Sequence, residues 1–308
     1  MMNLSVQLAP KNRAGLRLAN PVMTASGTFG YGTEYSHLFD IQKLGAIVCK
    51  GTTLKPRDGN PQPRLMETPS GMLNSIGLQN IGVKALIAEK APLWAEWRVP
   101  VIVNIAGETV EEYAQLAQEL ESVPGVSALE VNISCPNIRA GGAEFGVHPE
   151  PAARVTASVR TNTSLPMLVK LTPNTGEIAR VAAAVAEAGA DAISLINTVR
   201  GMAIDVYTHK ALLGNRTGGL SGPAIKPIAL AMVYEVAGTV KIPVVGCGGI
   251  TSGSDAIEFI MAGASAVQVG TASFANPNAP IDVLKGIEQF MSREGVKDIA
   301  ELIGTARR

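Results

Sequence analysis

The chain is poor in net charge and in aromatic residues. Its 308 residues include 26 basic and 26 acidic side chains, so the formal net charge at pH 7 is zero. A neutral chain has no electrostatic attraction for nucleic acid or for an anionic membrane surface. Two tryptophans, five tyrosines and six phenylalanines leave few rings for stacking on single-stranded nucleic acid. These shortages predict a small-molecule partner, and neither nucleic acid nor membrane.

Cysteine is scarce as well. Only Cys49, Cys135 and Cys247 are present. An odd, widely spaced set disfavours a secreted disulfide framework and fits a reducing cytoplasm. Three thiols also cannot ligate an iron–sulfur cluster, which takes four. We therefore predict a cytoplasmic protein with no metal site on this chain.

Long hydrophobic runs are missing too. The N-terminal stretch alternates and breaks at Pro10, unlike the continuous apolar segment of an export signal. Elsewhere Gly, Pro or charged residues interrupt each apolar stretch well before the ~20 residues that span a bilayer. No low-complexity linker divides the chain, so we expect one domain over residues 1–308.

The sequence does contain eight short β-branched runs separated by helix-like stretches. Several are nearly continuous apolar runs, as strands buried on both faces of a parallel sheet are. Amphipathic stretches such as Thr109–Leu120 and Gly176–Ala188 supply crossover helices. This alternation predicts an α/β fold, a (β/α)8 TIM barrel rather than a doubly wound sheet, with long insertions after strands 2 and 6 at residues 52–99 and 199–242. The predicted strands are Pro21–Ser26, Ala46–Gly51, Pro100–Ala106, Ala128–Pro136, Pro166–Pro173, Ala192–Thr198, Pro243–Ile250 and Ala266–Ala272.

Polar residues close most of these runs. In a TIM barrel the catalytic groups lie at the carboxyl ends of the strands. A single polar strand end is often only a solvent-facing or helix-capping residue, but several that converge on one mouth favour a functional site. The polar strand ends are Ser26, Lys50, Asn104, Asn132, Lys170 and Asn197–Thr198.

Glycine-bearing turns follow the last two strands, at Gly248–Gly249 and Gly270–Thr271. Bare backbone N–H groups, and helices opening at Thr251–Ser252 or Thr271–Ala272, suit a bound phosphate. Tight turns need glycine too, yet barrels bind phosphate at this place, which favours a phosphate site. In the further segment TGGLSGPAIKP at 217–227, we expect Ser221 to cap a helix and Pro223 to occupy its first position.

Lys50 and Lys170 each end a strand inside an apolar rim. A buried lysine needs an anion, supplied by a cofactor or substrate or by an acidic residue such as Glu130. A Schiff-base lysine is one alternative. The neighbouring amides and glycines favour a fixed positive charge that stabilises an anionic ring system.

Cys135 follows the fourth strand, whereas Cys49 and Cys247 lie within apolar runs and are predicted to be inert packing residues. Nucleophilic acyl transfer by Cys135 would need a nearby histidine, and no histidine falls at a strand end. We therefore favour a general base. Amides at Asn74, Asn132, Asn137 and Asn197 suit a flat ring that bears carbonyl and N–H groups.

Several motifs together resemble the dihydroorotate dehydrogenase family over essentially the whole chain. The resemblance implies an FMN-containing (β/α)8 barrel that oxidises dihydroorotate to orotate in pyrimidine biosynthesis, with one FMN per chain. The cysteine at position 135 resembles class 1, because class 2 has serine there and carries an N-terminal extension. The motifs are SGTFGYGTEY, KGTTLKPRDGNPQPR, NSIGLQN, VNISCPN, VKLTPN, INTVRGMAID, TGGLSGPAIKP, GCGGI and VGTASF.

The resemblance also implies residue roles. Cys135 would be the general base, and Asn137 a further substrate contact. FMN would be held by Ser26, Lys50, Gly51, Asn104, Asn132, Lys170, Ile196, Gly222, Gly248, Gly249, Gly270 and Thr271. The substrate would be held by Lys50, Asn74, Ser75, Ile76, Gly77, Leu78, Asn132, Asn197 and Thr198.

The segment at 217–227 resembles the class 1B form. That resemblance implies an electron-transfer subunit carrying FAD and a [2Fe–2S] cluster, which passes electrons to NAD in a heterotetramer of two catalytic and two electron-transfer subunits. The shortage of cysteine agrees with a cluster on another polypeptide. The alternatives are the fumarate-dependent class 1A enzyme and a non-catalytic phosphate-binding barrel.

Overall fold

The structure is a computed structural model that describes residues 2–134, 136–137 and 143–307. Its centre is an eight-stranded parallel sheet in which each strand pairs with its neighbours along the chain. A parallel bridge between Met23 and Ala46 joins the first strand to the second and closes the sheet into a barrel. The barrel strands are β1 (Val22–Thr24), β2 (Ile47–Val48), β3 (Val101–Ile105), β4 (Ala128–Asn132), β5 (Met167–Leu171), β6 (Ala192–Leu195), β7 (Val244–Cys247) and β8 (Ala266–Val269).

Each of the eight predicted strand segments contains one barrel strand, so the predicted TIM barrel is confirmed. Every residue of these strands is buried, because one face packs on the helices and the other fills the barrel. The barrel interior is less apolar than predicted, however. Asn104, Glu130, Lys170, Ser194 and Gln268 lie within strands, and each is at most 4% exposed.

Helices surround the barrel where the crossover stretches predict them. The predicted stretches at residues 109–120 and 176–188 become α3 and α5, and the Thr109 hydroxyl caps α3 by accepting a hydrogen bond from the Glu112 N–H. No helix among the described residues is long and apolar enough to cross a membrane. The helices are α1 (Val83–Glu89), α2 (Ala91–Ala95), α3 (Val110–Leu120), α4 (Pro149–Thr161), α5 (Ile178–Glu187), α6 (Lys226–Thr239), α7 (Gly253–Ala262), α8 (Ala272–Ala275) and α9 (Ala279–Glu294).

The two insertions follow strands 2 and 6, as predicted, and their strands pair with each other in one sheet. Leu65–Thr68 and Gly71–Asn74 from the first insertion form one antiparallel sheet with Val199–Met202 and Thr217–Ser221 from the second. The sequence does not predict this pairing, because its strands lie more than a hundred residues apart. Shorter antiparallel pairs are Val6–Gln7 with Arg17–Leu18, Pro136–Asn137 with Ala143–Glu144, and Ile204–Asp205 with Lys210–Ala211.

The predicted helix cap at Ser221 is wrong. Ser221 is the last residue of a strand, and its hydroxyl accepts a hydrogen bond from the Thr271 hydroxyl at 2.8 Å. The cap position of the following short 3-10 helix, Pro223–Ile225, belongs to Gly222 at φ +93°. The sheet continues one residue further than the turn chemistry suggests, because Ser221 pairs with Met72 in the neighbouring strand. Pro223 occupies the first helical turn, as predicted.

Candidate active site

A cavity of about 650 Å³ opens at the carboxyl ends of the barrel strands. The sheet built from the two insertions contributes Leu65, Met72 and Ser221 to its wall. The predicted site residues whose side chains the structure describes all line this cavity. They are Ser26, Lys50, Gly51, Asn74, Ser75, Ile76, Gly77, Leu78, Asn104, Asn132, Lys170, Ile196, Asn197, Thr198, Gly222, Gly248, Gly249, Gly270 and Thr271.

Lys170 is the buried cation of the cavity floor. Its side chain is 4% exposed, and its ammonium donates to Gln268 Oε1 at 3.0 Å and to Ser26 Oγ at 3.4 Å. Glu130 Oε2 lies 3.8 Å from Lys170 Nζ, so the acidic partner that the sequence left open is present. Burial lowers the pKa of Lys170, but Glu130 and Cys247 together outweigh burial, and the pKa lies above its ordinary value. Lys170 is therefore a charged residue at neutral pH.

Lys50 is the second cation and is held differently. Its backbone N–H donates to Gly30 O at 2.8 Å just past β2, and its side chain is half-buried in the cavity wall. Burial lowers the pKa of Lys50, with a smaller lowering from Arg64 and an opposing effect from Glu34. An anion bound beside Lys50 restores the stabilisation that this ammonium loses by leaving water.

Three of the predicted amides are held by hydrogen bonds at the mouth, two of them to each other. Asn197 Nδ2 donates to Asn132 Oδ1 at 3.2 Å, and Asn197 Oδ1 accepts from the Thr198 N–H at 2.8 Å. Asn74 Nδ2 donates to Gly219 O at 3.2 Å, which ties the first insertion to the second. Because these contacts fix the side chains, the mouth presents preset donors and acceptors to a ligand.

Three polar atoms in the cavity wall have no hydrogen-bond partner within the described part of the chain. Ser75 Oγ, Asn104 Oδ1 and Ser134 Oγ are buried and make no hydrogen bond to the residues that the structure describes. An unsatisfied buried polar atom costs about 1–3 kcal/mol. A ligand with N–H and carbonyl groups at its edge can bond to these two hydroxyls and this amide oxygen.

The turn after β7 supports an anion only in part. Gly248 and Gly249 have φ of +132° and +72°, so the left-handed backbone itself requires glycine here. At the start of α7, Asp255 Oδ2 already accepts from the backbone N–H and hydroxyl groups of Thr251 and Ser252. The anion-binding capacity of this helix start is therefore used by the protein's own carboxylate.

Cys135 lies outside the described residues, as does the side chain of Asn137. The two other cysteines are buried and free, as predicted for packing residues. Burial raises the pKa of Cys49 to about 12 and also raises that of Cys247. Neither thiol is a candidate for thiolate chemistry near neutral pH, which leaves Cys135 as the predicted base.

The cavity wall and the layer beneath its floor also contain residues that sequence reasoning missed. Arg57 and Glu108 pair at 2.6 Å in the wall, and Gln268 and Ser194 support the floor from below. A polar residue inside an otherwise apolar run, as at Ser194 and Gln268, is the signal that would have found the last two. Arg57 and Glu108 have no such signal, because each lies in a polar loop.

Fold and site together define a (β/α)8-barrel protein whose mouth, with Lys50 and Lys170 in its wall, fits a flat, anionic ligand. The chain matches the family model of dihydroorotate dehydrogenase over residues 9–291. It is 57% identical to a relative from Pelobacter propionicus over 95% of this chain and 96% of that protein. It is 53% identical to one from Geotalea daltonii over 99% and 98%, and 55% identical to one from Desulforamulus reducens over 99% of each.

Each of these relatives is named dihydroorotate dehydrogenase B (NAD(+)), catalytic subunit. Both the family match and these identities cover nearly the whole chain. The chain therefore belongs to the dihydroorotate dehydrogenase family, a family of oxidoreductases.

Proposed function

We propose that this chain is an FMN-dependent catalytic subunit that oxidises dihydroorotate to orotate in pyrimidine biosynthesis and passes the electrons to NAD through a partner subunit. The observation that carries the proposal is the barrel-mouth cavity, which combines Lys50, Lys170 and a fixed amide group. The printed names of the relatives supply the substrate and the acceptor.

The cavity residues fit FMN. When bound, FMN supplies an acceptor for two electrons delivered as a hydride. Lys170 is the cation that would face the edge of the flavin where negative charge accumulates. The unpartnered Asn104 Oδ1 would accept from a ring N–H. The glycine turns at 222, 248–249 and 270–271 would let the backbone approach the phosphate.

The substrate would lie above this ring at the amide group. Lys50 would pair with the carboxylate of dihydroorotate. Asn74, Asn132, Asn197 and Thr198 would bind the ring carbonyl and N–H groups, and the segment Ser75–Leu78 would cover them. In this arrangement these residues would orient the substrate's reacting carbon and exclude water from it.

Cys135 would act as the general base. The C5 proton of dihydroorotate is α to a ring carbonyl, so a thiolate can take it while the hydride leaves C6. The thiolate becomes a thiol, and the electron pair of the broken C5–H bond forms the new C=C bond of orotate. A thiol is mostly protonated at neutral pH. The rate of substrate oxidation is therefore expected to rise with pH as the thiol ionises, and to level off once ionisation is complete.

The electrons would leave through a second polypeptide. The three cysteines of this chain cannot hold a [2Fe–2S] cluster, and the relatives are named as catalytic subunits. We therefore propose a partner that carries FAD and [2Fe–2S], in a heterotetramer with two copies of each subunit in the cytoplasm.

An absorption spectrum recorded before and after anaerobic addition of dihydroorotate tests the function. We expect a yellow protein that bleaches, and Cys135→Ala that stays yellow but bleaches slower by several orders of magnitude. Cys135→Ser should be intermediate, with its activity shifted to higher pH. Cys49→Ala is the matched control, because Cys49 is buried outside the cavity.

Two results would contradict the proposal. A colourless chain that cannot be reconstituted with FMN would favour a non-catalytic barrel. If dihydroorotate reduces the flavin of Cys135→Ala at nearly the rate seen in the unmodified chain, Cys135 is not the base.

A further inference from the structure

Glu130 is a fully buried carboxylate in the middle of a barrel strand, one layer below the cavity floor. Its side chain is 0% exposed, and it is not among the residues that line the cavity. Side chains two residues apart on a strand point to the same face, so Glu130 shares the barrel interior with Asn132. An isolated ionised carboxylate here would be very costly, so its neighbours decide what it does.

Four side chains from four different strands meet this carboxylate. Glu130 Oε2 accepts from Asn104 Nδ2 at 2.7 Å and lies 3.8 Å from Lys170 Nζ. Glu130 Oε1 accepts from Ser194 Oγ at 2.8 Å and from Gln268 Nε2 at 2.6 Å. Asn104 and Lys170 belong to the cavity wall, so Glu130 contacts the site through them.

The contact with Asn104 determines which end of that amide is free. A carboxylate accepts hydrogen bonds only, so the Asn104 NH2 group must face Glu130. The Asn104 oxygen is then left over, and it is the buried cavity-wall acceptor that has no partner among the described residues. Glu130 therefore makes Asn104 a hydrogen-bond acceptor towards a ligand.

The contact with Lys170 determines its charge. Lys170 also bonds to Gln268 Oε1, and Gln268 in turn donates to Glu130, so the three side chains form a closed set. The titratable groups around Lys170 are Glu130 and Cys247, and Glu130 also acts on Cys49. Burial lowers the pKa of Lys170, and Glu130 is the largest effect that raises it.

We propose that Glu130 is a positioning residue: from below the floor it keeps Lys170 charged and Asn104 turned with its oxygen outward, so that both meet the bound ring system correctly. The inference rests on the proposed function for the identity of that ring system. The Glu130–Lys170 pair itself does not depend on the proposed function.

The variant Glu130→Gln tests the charge of this side chain while keeping its shape. The variant keeps the volume of the side chain but removes the counter-charge, so burial is expected to shift the Lys170 pKa down by at least one pH unit. One carboxylate oxygen also becomes an NH2 group that faces donors, which favours a turned Asn104 amide. FMN binding should then weaken as the pH rises through the lowered Lys170 pKa, by at most about tenfold per pH unit because one proton is linked to binding, and this fall should begin at lower pH than in the unmodified chain.

The experiment uses the full chain labelled with 13C at the lysine side chains. NMR follows the titration of Lys170, identified by the signal that Lys170→Met removes, and flavin fluorescence measures FMN affinity across the same pH range. Ser194→Ala is the matched control, because it removes one hydrogen bond to Glu130 without changing charge. It should leave the Lys170 titration within a few tenths of a pH unit. Combining Glu130→Gln with Lys170→Met should abolish the pH dependence of FMN binding.

The outcomes distinguish this inference from the proposed function. An unshifted Lys170 titration in Glu130→Gln would overturn the inference even if the enzyme is active. If Glu130→Gln does not fold, the NMR titration of Lys170 in the unmodified chain tests the inference. Deprotonation of Lys170 below pH 9 would contradict the proposal. Retention of its proton up to pH 9 would support it. A chain that never binds FMN contradicts the proposed function, yet its Lys170 titration still tests the pair.

Discussion

At the residue scale, the two cavity lysines differ in what maintains their charge. Lys170 has an internal counter-ion in Glu130 and is charged before any ligand binds. Lys50 is half-buried, and burial lowers its pKa with only a weaker opposing effect from Glu34. The charge of Lys50 is therefore the one that an anionic ligand stabilises most directly.

This difference predicts a pH dependence of orotate binding. If orotate binds to protonated Lys50 as proposed, its affinity should be constant below the lowered pKa of Lys50 and fall as pH rises through that pKa. The loss is at most about tenfold per pH unit, because one proton is linked to binding. Titrating the FMN-loaded chain with orotate, followed by the flavin difference spectrum between pH 6 and pH 10, measures it.

Two variants check that Lys50 is the source. Lys50→Gln should bind more weakly and lose the pH-dependent step. Lys55→Gln changes an exposed lysine outside the cavity wall and should keep it. Retention of the full step in Lys50→Gln would assign the pH dependence to another group.

At the element scale, the segment between β7 and α7 combines a strained turn with a capped helix. Gly249 has φ +72°, and a Cβ there would lie 2.8 Å from the backbone nitrogen of Lys226. The start of α7 is closed by a capping box between Ser252 and Asp255. Burial raises the pKa of Asp255, but hydrogen bonds from Lys226, Thr251 and Ser252 outweigh it and lower the pKa to about 2. The turn is therefore held rigidly on its helix side.

Gly249→Ala is expected to disturb this turn. An alanine in the left-handed region costs about 1–2 kcal/mol, and the Cβ contact with the Lys226 backbone adds to this cost. We expect a lower urea midpoint and weaker FMN binding. Gly176→Ala is the matched control, because Gly176 has no atom within 4 Å of its Cβ position and no positive φ. Equal midpoints for the two variants would contradict the constraint at Gly249.

The strand elements show how much of the fold can be predicted from sequence. All eight barrel strands fall within the short β-branched runs, several of which are nearly continuous apolar runs, as strands covered on both faces need. The insertion strands do not follow in the same way. Val199–Met202 and Thr217–Ser221 are half-exposed and glycine-rich, and they form a sheet only by pairing across insertions.

At the scale of the whole molecule, the missing cysteines determine the route proposed for the electrons. A chain that cannot hold an iron–sulfur cluster needs a partner for one. We expect the isolated FMN-loaded chain to be reduced by dihydroorotate and to pass no electrons to NAD or to fumarate. Stopped-flow absorbance of the reduced chain mixed with each acceptor tests this.

Two outcomes of the same measurement would contradict this expectation. Reoxidation by fumarate at a catalytic rate would indicate the class 1A enzyme. NAD reduction by this chain alone would remove the need for a partner. Addition of the purified electron-transfer subunit is the positive control and should restore NAD reduction.

The sequence by itself determined the barrel, the position of its two insertions and the polar residues at its mouth. These are local properties: an apolar run specifies a buried strand, and a polar residue that ends it lies at the carboxyl edge. Only the tertiary structure decided what lies beneath that edge. Asn104, Glu130, Lys170, Ser194 and Gln268 are spread over 165 positions of sequence and meet because barrel closure brings their strands together.

Tertiary structure also decided that Asp255 occupies the start of α7 and that Ser221 ends a strand. The alternation of side chains along a strand identifies residues that share a face. It does not identify which distant residue completes a hydrogen bond, because that depends on the register and closure of the whole barrel.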